Sequence, residues 1–427
     1  MTAPTGTELL AARPNLSAHA LDGLMLEDVP LAGIADEYGT PTYVYGAGTI
    51  RARCRRLRRA MPGVSLHYAV KALDHLAILA LIASEGLGAD VVSGGELLRC
   101  LRAGFAPSQI VFSGVGKTAG ELRLALETGI GQINVESAEE LYEIAAIARA
   151  LGVTAPVALR VNPDVDAGSH DKISTGRATD KFGIPAADIV ALYREAVPLE
   201  GLKVNGLAVH VGSQIFSMRP FASAYACLAA LVRDLRSRGL SVSAIDCGGG
   251  LGVGYQGEPE AMPEAWAGAL QHAFGSLDVS LAAEPGRWLV AQAGVLLSRV
   301  IRTKRTGGSP IVILDAAMND FARAAMYDAW HGIVPVGAAD FVRPPEAQDV
   351  VGPVCESSDI FGRNRQLPPL AAGAIVAILD VGAYGAVMSS TYNARPRAAA
   401  VLVENGRSHL ITARGSPDAM VEGEMMP

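Results

Sequence analysis

The 427-residue sequence has no cysteine pair at CxxC spacing, and its five cysteines (Cys54, Cys100, Cys227, Cys247 and Cys355) are an odd number. That pattern excludes the usual zinc-ligand spacing and argues against a disulfide framework. Free thiols in a reducing cytoplasm are the expectation. No apolar run approaches the roughly 18 residues a membrane span needs, so no membrane partner is expected. The opening "MTAPTGTELLAARPN" lacks the basic start and apolar stretch of a secretory leader, which again points to the cytoplasm. Positive charge is not in excess. The formal net charge is −7, and no general affinity for nucleic acid follows from it. One segment departs from this balance: "RARCRRLRRA" (51–60) carries six arginines and reads as a solvated helix face rather than an RNA or membrane contact. Low-complexity tracts and fixed-period repeats are also missing.

Apolar residues make up 50% of the chain, enough for two domains with substantial cores. Strand-like runs fall at 64–70, 89–92, 110–112, 132–135, 156–161, 206–211, 243–247 and 279–283. Helical stretches at 95–103, 119–128, 137–151, 186–195, 221–238 and 261–274 lie between them. This alternation predicts an α/β chain with a (β/α)8, TIM-like barrel; a doubly wound open sheet is the runner-up, because periodicity cannot show closure. After residue 290 the pattern changes to strands joined by Gly, Pro and Asn turns, such as "AGVLLSRVIRTK", "PIVILDAAM" and "AIVAILDVGAYG". The expected division is an N-terminal segment, 1–45, that packs with a mostly β C-terminal domain, 296–427, and a barrel over 46–295.

In a barrel of this kind the chemistry collects at the carboxyl ends of the strands. "VSLHYAVKA" places Lys71 at the end of the first strand. Alone it reads either as an amine available for a Schiff base or as the partner of a carboxylate such as Asp90. "HVGSQ" places His210 and Ser213 at another strand end, and "CGGGLGVGY" supplies Gly248, Gly249 and Gly250. Unhindered N–H groups in such a run can surround a phosphate, although neither a Walker loop nor a dinucleotide fingerprint is present. "EPGR" adds Glu284, Gly286 and Arg287. An amine, a phosphate cradle and a carboxylate are the parts a pyridoxal phosphate site needs. The plainer readings are a flexible glycine loop, a helix-capping serine, a core histidine and a Glu284–Arg287 ion pair. No metal site is expected.

These residues sit in longer motifs. "YAVKA", "DVVSGGEL", "RVNPDVDAGSHDKISTG", "HVGSQ", "DCGGGLGVGY", "EPGRWLVAQAG", "GPVCESSD" and "GAYGAVMSSTYNARPR" resemble, in order, those of the diaminopimelate decarboxylase family. The resemblance implies pyridoxal 5'-phosphate as cofactor and decarboxylation of meso-diaminopimelate to L-lysine. It implies that Lys71 holds the cofactor, with Asp90 nearby and His210 stacked on the ring. Ser213, Gly248 to Gly250 and the Glu284–Arg287 backbone, Gly286 included, would hold the phosphate, with Glu284 facing the ring nitrogen. Arg287, Arg323 and Tyr327 would grip the distal carboxylate of the substrate, and Tyr384 would contact cofactor and substrate. Cys355, the candidate proton donor, and Glu356 would reach the partner's site in a homodimer with shared active sites. Two departures stand out: Ala72-Leu73 where the family usually has Ala-Asn, and Arg323-Ala-Ala-Met-Tyr327 where it has Arg-Pro-Ala-Leu-Tyr. The alternatives are a decarboxylase of ornithine, lysine, arginine or a carrier-bound amino acid, and a non-catalytic pyridoxal phosphate-binding homologue.

Overall fold

A computed structural model describes residues 4, 6–166, 176–177, 180–307 and 309–427. Part of the "RVNPDVDAGSHDKISTG" motif, residues 167–175, lies outside the described residues. The chain divides into two compact units: Arg53–Val253 with Glu260–Trp288, and Met1–Ala52 with Gly254–Pro259 and Leu289–Pro427.

The first unit is a closed parallel barrel. Its strands are β1 (Val64–Ala69), β2 (Gly88–Val91), β3 (Ile110–Phe112), β4 (Gln132–Val135), β5 (Ala155–Asn162), β6 (Leu202–Val209), β7 (Ala244–Asp246) and β8 (Ser280–Ala283). Each pairs in parallel with the next, and β8 returns to β1 with Leu281 opposite Val64. The open-sheet alternative is thereby excluded. In β1, Leu66 and Tyr68 are buried while Ser65 is exposed, the period-2 alternation read from the sequence. The helices between strands start on the expected caps. The Ser93 hydroxyl accepts the Glu96 N–H at 3.2 Å, and Thr118 and Glu121 form a reciprocal capping box. Gly129 and Gly152 end their helices in the left-handed conformation.

The arginine-rich segment is a helix, Ala47–Ala60, with Arg55, Arg58 and Arg59 exposed on its solvated face, while Arg53 and Arg56 are only half-buried. Arg55 pairs with Glu85 at 2.8 Å, Arg53 and Arg56 share Glu260, and Arg56 also reaches Glu264. The Arg53 guanidinium lies 4.5 Å from the centre of the Trp288 ring. Nearby carboxylates and an indole engage Arg53, Arg55 and Arg56, while Arg58 and Arg59 stay exposed to solvent.

In the second unit, strand 42–46 pairs antiparallel with the first half of the long strand 294–306 and parallel with strand 399–404. The long strand continues beyond a register shift to pair with 309–314. Its core gathers Leu24, Leu31, Val44, Val295, Leu297, Val334, Leu379 and Val401, each at most 2% exposed. Strand 360–367 has no counterpart among the sequence expectations, because Arg363, Asn364 and Arg365 break its apolar alternation. Arg13 and Asp380, both fully buried, form an ion pair within this unit, with the Arg13 Nε–H donating to Asp380 Oδ1 at 2.8 Å.

Candidate active site

Within the barrel unit, Lys71 lies in the 3-10 turn Val70–Ala72 that ends β1. Its Nζ is 2.9 Å from Oδ2 of Asp90 on β2; the Asp90 side chain is fully buried and that of Lys71 is 33% exposed. The other Asp90 oxygen, Oδ1, is buried with no hydrogen-bond partner among the described residues. Gly286 packs tightly here: a methyl on it would lie 3.0 Å from the Ala69 Cβ, and the Ala69 N–H donates to Pro285 O at 3.0 Å. The "EPGR" loop is thus laid against the turn that carries Lys71.

Glu284, at the end of β8, is 4% exposed and accepts from the Asn134 amide at 3.2 Å. Burial, then the nearby carboxylates of Asp246 and Asp90, hold its pKa well above the usual carboxylate range. A buried carboxyl of this kind suits a basic ring nitrogen, because a proton shared between the two leaves a pair rather than a lone buried charge. His210 Nδ1 lies 3.8 Å from Glu284 Oε2, but this is not an ion pair. Nδ1 accepts the Gly249 N–H at 3.2 Å and therefore carries a lone pair. Burial, with Lys71 and Arg160 close by, also holds the imidazole pKa well below its ordinary value.

The glycine run is shaped by close backbone approach. A methyl on Gly249 would sit 2.0 Å from Glu284 O, and Gly248, at φ +66°, would place one 2.1 Å from Val209 O. The run is stitched to the loop after β6, with Ile215 N–H donating to Gly250 O at 2.9 Å and Gly252 N–H to Ile215 O at 3.0 Å. Ser213 is no helix cap, since the next helix begins at Arg219. Its hydroxyl instead accepts from Arg287, at 3.3 Å from Nε and 3.1 Å from Nη2.

The barrel thus brings together Lys71, Asp90, His210, Ser213, Gly248 to Gly250, Glu284, Gly286 and Arg287. Sequence reasoning assigned no role to several side chains at the same strand ends. Asn134 and Asp246 flank Glu284, with Asn134 Nδ2 3.1 Å from Asp246 Oδ2. Arg160, its guanidinium 4.9 Å from the Phe182 ring centre, donates to Glu136 at 2.5 Å. Burial pushes the Glu96 carboxyl up to about 7, while the Val92 N–H pulls it back. The motifs "NVES" and "RVNPD" mark strand ends and carry this signal, but polar residues there have no distinguishing spacing. A cavity of about 600 Å³ at the opposite mouth, lined by Ser65, His67, Gln109 and Gln132, shares only Asp246 with this cluster.

In the β unit, Arg323 and Tyr327 lie on one short helix, the Arg323 guanidinium 5.9 Å from the Tyr327 ring centre. Cys355 is an exposed thiol whose backbone N–H donates to Asn393 Oδ1 at 3.0 Å. Its loop is held by Asp359, which accepts the Val354 and Met318 N–H groups, both at 2.7 Å. Glu356 accepts from Ser358 at 2.6 Å. Tyr384 adopts a left-handed φ of +56°.

These features define a class. The lysine, the glycine cradle, the buried Glu284 carboxyl and the Asp90 oxygen without a partner among the described residues fit a pyridoxal phosphate, and the family described as "Pyridoxal-dependent decarboxylase, pyridoxal binding domain" matches residues 47–291. The chain is 46% identical over 412 residues to the diaminopimelate decarboxylase of Zymomonas mobilis, covering 94% of this chain and 96% of that protein. The solved diaminopimelate decarboxylase of Helicobacter pylori, complexed with L-lysine, superposes with a TM-score of 0.88 at 36% identity, covering 92% of this chain and 98% of that one. That of M. jannaschii superposes with a TM-score of 0.92 at 34% identity, covering 98% and 99%. The chain belongs to the diaminopimelate decarboxylase family.

Proposed function

We propose that this protein decarboxylates meso-2,6-diaminopimelate to L-lysine and carbon dioxide, with pyridoxal 5'-phosphate as cofactor. The observation that carries the reading is the end-to-end likeness, 46% over 94% of the chain, to a protein of that activity. Lys71 would carry the cofactor covalently, and the backbone of Gly248 to Gly250 with Ser213 would hold its phosphate. Asp90 would lie beside it, His210 would pack on the ring, and Glu284 would face the ring nitrogen. When bound, pyridoxal phosphate supplies an electron-withdrawing ring conjugated to the amine-bearing carbon of the substrate.

The reaction breaks one carbon–carboxylate bond, releases carbon dioxide and returns one proton to the carbon left behind. Cys355 Sγ is the proposed donor of that proton, and Tyr384 contacts the reacting end. Arg287, Arg323 and Tyr327 recognise the carboxylate at the far end of the substrate, assisted by Glu356. A buried guanidinium left without its carboxylate is costly, so ornithine and lysine, whose single carboxylate cannot fill both the reacting and the distal positions, are not decarboxylated. The exposure of Cys355 and Glu356 supports a homodimer in which each copy lends this loop to the other. Five free thiols and a biosynthetic reaction suit the cytoplasm.

The substrate assignment is tested with Arg323→Gln. The kcat/KM for meso-diaminopimelate falls about 100-fold or more, on the scale of one lost charge-assisted contact, while cofactor binding is kept. An unchanged value removes Arg323 from substrate recognition.

A further inference from the structure

His331 has no part in the roles above, yet its surroundings are specified on every side. It is 2% exposed, and its Nδ1 lies 2.9 Å from Leu379 O. A carbonyl oxygen only accepts, so Nδ1 carries the proton and Nε2 carries the lone pair. The Arg323 Nε–H donates to that Nε2 at 3.2 Å. The imidazole is fixed by two further rings: Phe321 meets it edge-on with centroids 4.7 Å apart, and Tyr255 tilts against it at 4.8 Å. Tyr255 also lies under the Arg323 guanidinium, 5.5 Å from ring centre to Cζ. The anchor is rigid in turn. Leu379 ends a core strand, and the next residue is Asp380, partner of the buried Arg13, whose Nη2 donates to Tyr255 O at 2.9 Å.

This arrangement has a chemical consequence. A carboxylate can meet a guanidinium as a fork on the Nε/Nη edge or end-on through the two Nη groups. His331 takes Nε, so an incoming carboxylate must meet Arg323 end-on. An aspartate in the place of His331 would orient Arg323 equally well but would neutralise it and compete with the ligand. A neutral imidazole supplies an acceptor without cancelling the charge.

We propose that His331 is a positioning residue that fixes the orientation of Arg323 and so sets the selection for a substrate bearing a distal carboxylate. This rests on the reading of Arg323 as a carboxylate-recognition residue. His331→Phe keeps a ring against Phe321 but deletes both nitrogens, and His331→Gln keeps an acceptor. In the cofactor-loaded enzyme His331→Phe raises KM for meso-diaminopimelate about 10- to 100-fold, the cost of one hydrogen bond to a charged group, with kcat within about threefold. His331→Gln recovers most of the loss. Inhibition by L-lysine, which keeps the distal carboxylate, weakens in His331→Phe in parallel with KM. Inhibition by cadaverine, which has no carboxylate, does not change. Equal weakening of both inhibitors, a fall in kcat alone, or an unchanged KM overturns the proposal. If His331→Phe does not fold, His331→Asn, too short to reach Arg323, takes its place under the same criteria. Arg323→Gln is run alongside. If it leaves KM unchanged, the carboxylate reading of Arg323 fails; if it raises KM while His331→Phe does not, only the positioning role fails.

Discussion

Lys71 and Asp90 make a prediction that separates the cofactor role of the lysine from its contribution to the fold. Replacing Lys71 by alanine strands a fully buried carboxylate beside Glu284 and Glu96. The 2.9 Å pair is worth about 6 kcal/mol of gross attraction at an effective dielectric near 20. Desolvation of Asp90 offsets much of this, and the one-third exposure of Lys71 screens the remainder, which leaves a net coupling of about 2 kcal/mol. Urea denaturation of the cofactor-free protein measures it. Lys71→Ala is expected to lose about 3 kcal/mol and Asp90→Asn about 2, with the double variant losing about 3 rather than 5. Both variants that lack Lys71 lose the cofactor absorbance and turnover. Losses that add within about 0.5 kcal/mol would refute the pairing as an energetic unit.

Other consequences concern single positions. Gly249→Ala must push the Glu284 carbonyl aside, so cofactor affinity falls about 10- to 100-fold with the far-ultraviolet circular dichroism unchanged; tight binding in a fluorescence titration would contradict the cradle. Glu96 titrates near 7 when folded and near 4.5 when unfolded, so the folded state binds more protons between these values. Stability from this group is present below about pH 4.5 and lost as pH rises to about 7, by at most about 3 kcal/mol. Glu96→Gln should therefore gain stability relative to the parent between pH 5 and 8 in urea titrations, and parallel pH curves would count against it. Arg365 is 6% exposed, with Nε and Nη1 lacking partners among the described residues, and burial lowers its pKa to about 10. Arg365→Met gives up the stack 4.3 Å over Trp330 but removes a buried cation, so stability should hold or rise by about 2 kcal/mol; a loss above about 2 kcal/mol would show that an unseen partner holds it.

Much of this architecture was legible in the sequence because the barrel strands are short apolar runs bounded by capped helices. The run 110–112 and the helix 119–128 fall where the periodicity puts them. Strand 360–367 escaped because its arginines and asparagine carry no period-2 signal; it is defined by pairing with 346–351. The same divide runs through the candidate site. Lys71, Glu284 and the glycines are legible because an amine at a strand end and a glycine run are rare local patterns. Asn134, Asp246 and Arg160 are ordinary residues until barrel closure sets them beside Glu284 and His210. His331 acquires meaning only through a hydrogen bond to a carbonyl 48 positions away. Lys71 posed a choice between ion pair and reactive amine; the geometry contains the pair with Asp90, and the family assignment supports the amine as well.

The most direct test of the central claim is product analysis with purified, cofactor-loaded protein offered meso-diaminopimelate, ornithine, arginine and lysine separately. The account predicts carbon dioxide and L-lysine from meso-diaminopimelate alone. Carbon dioxide from any of the other three instead, or none from all four with cofactor bound, would contradict it.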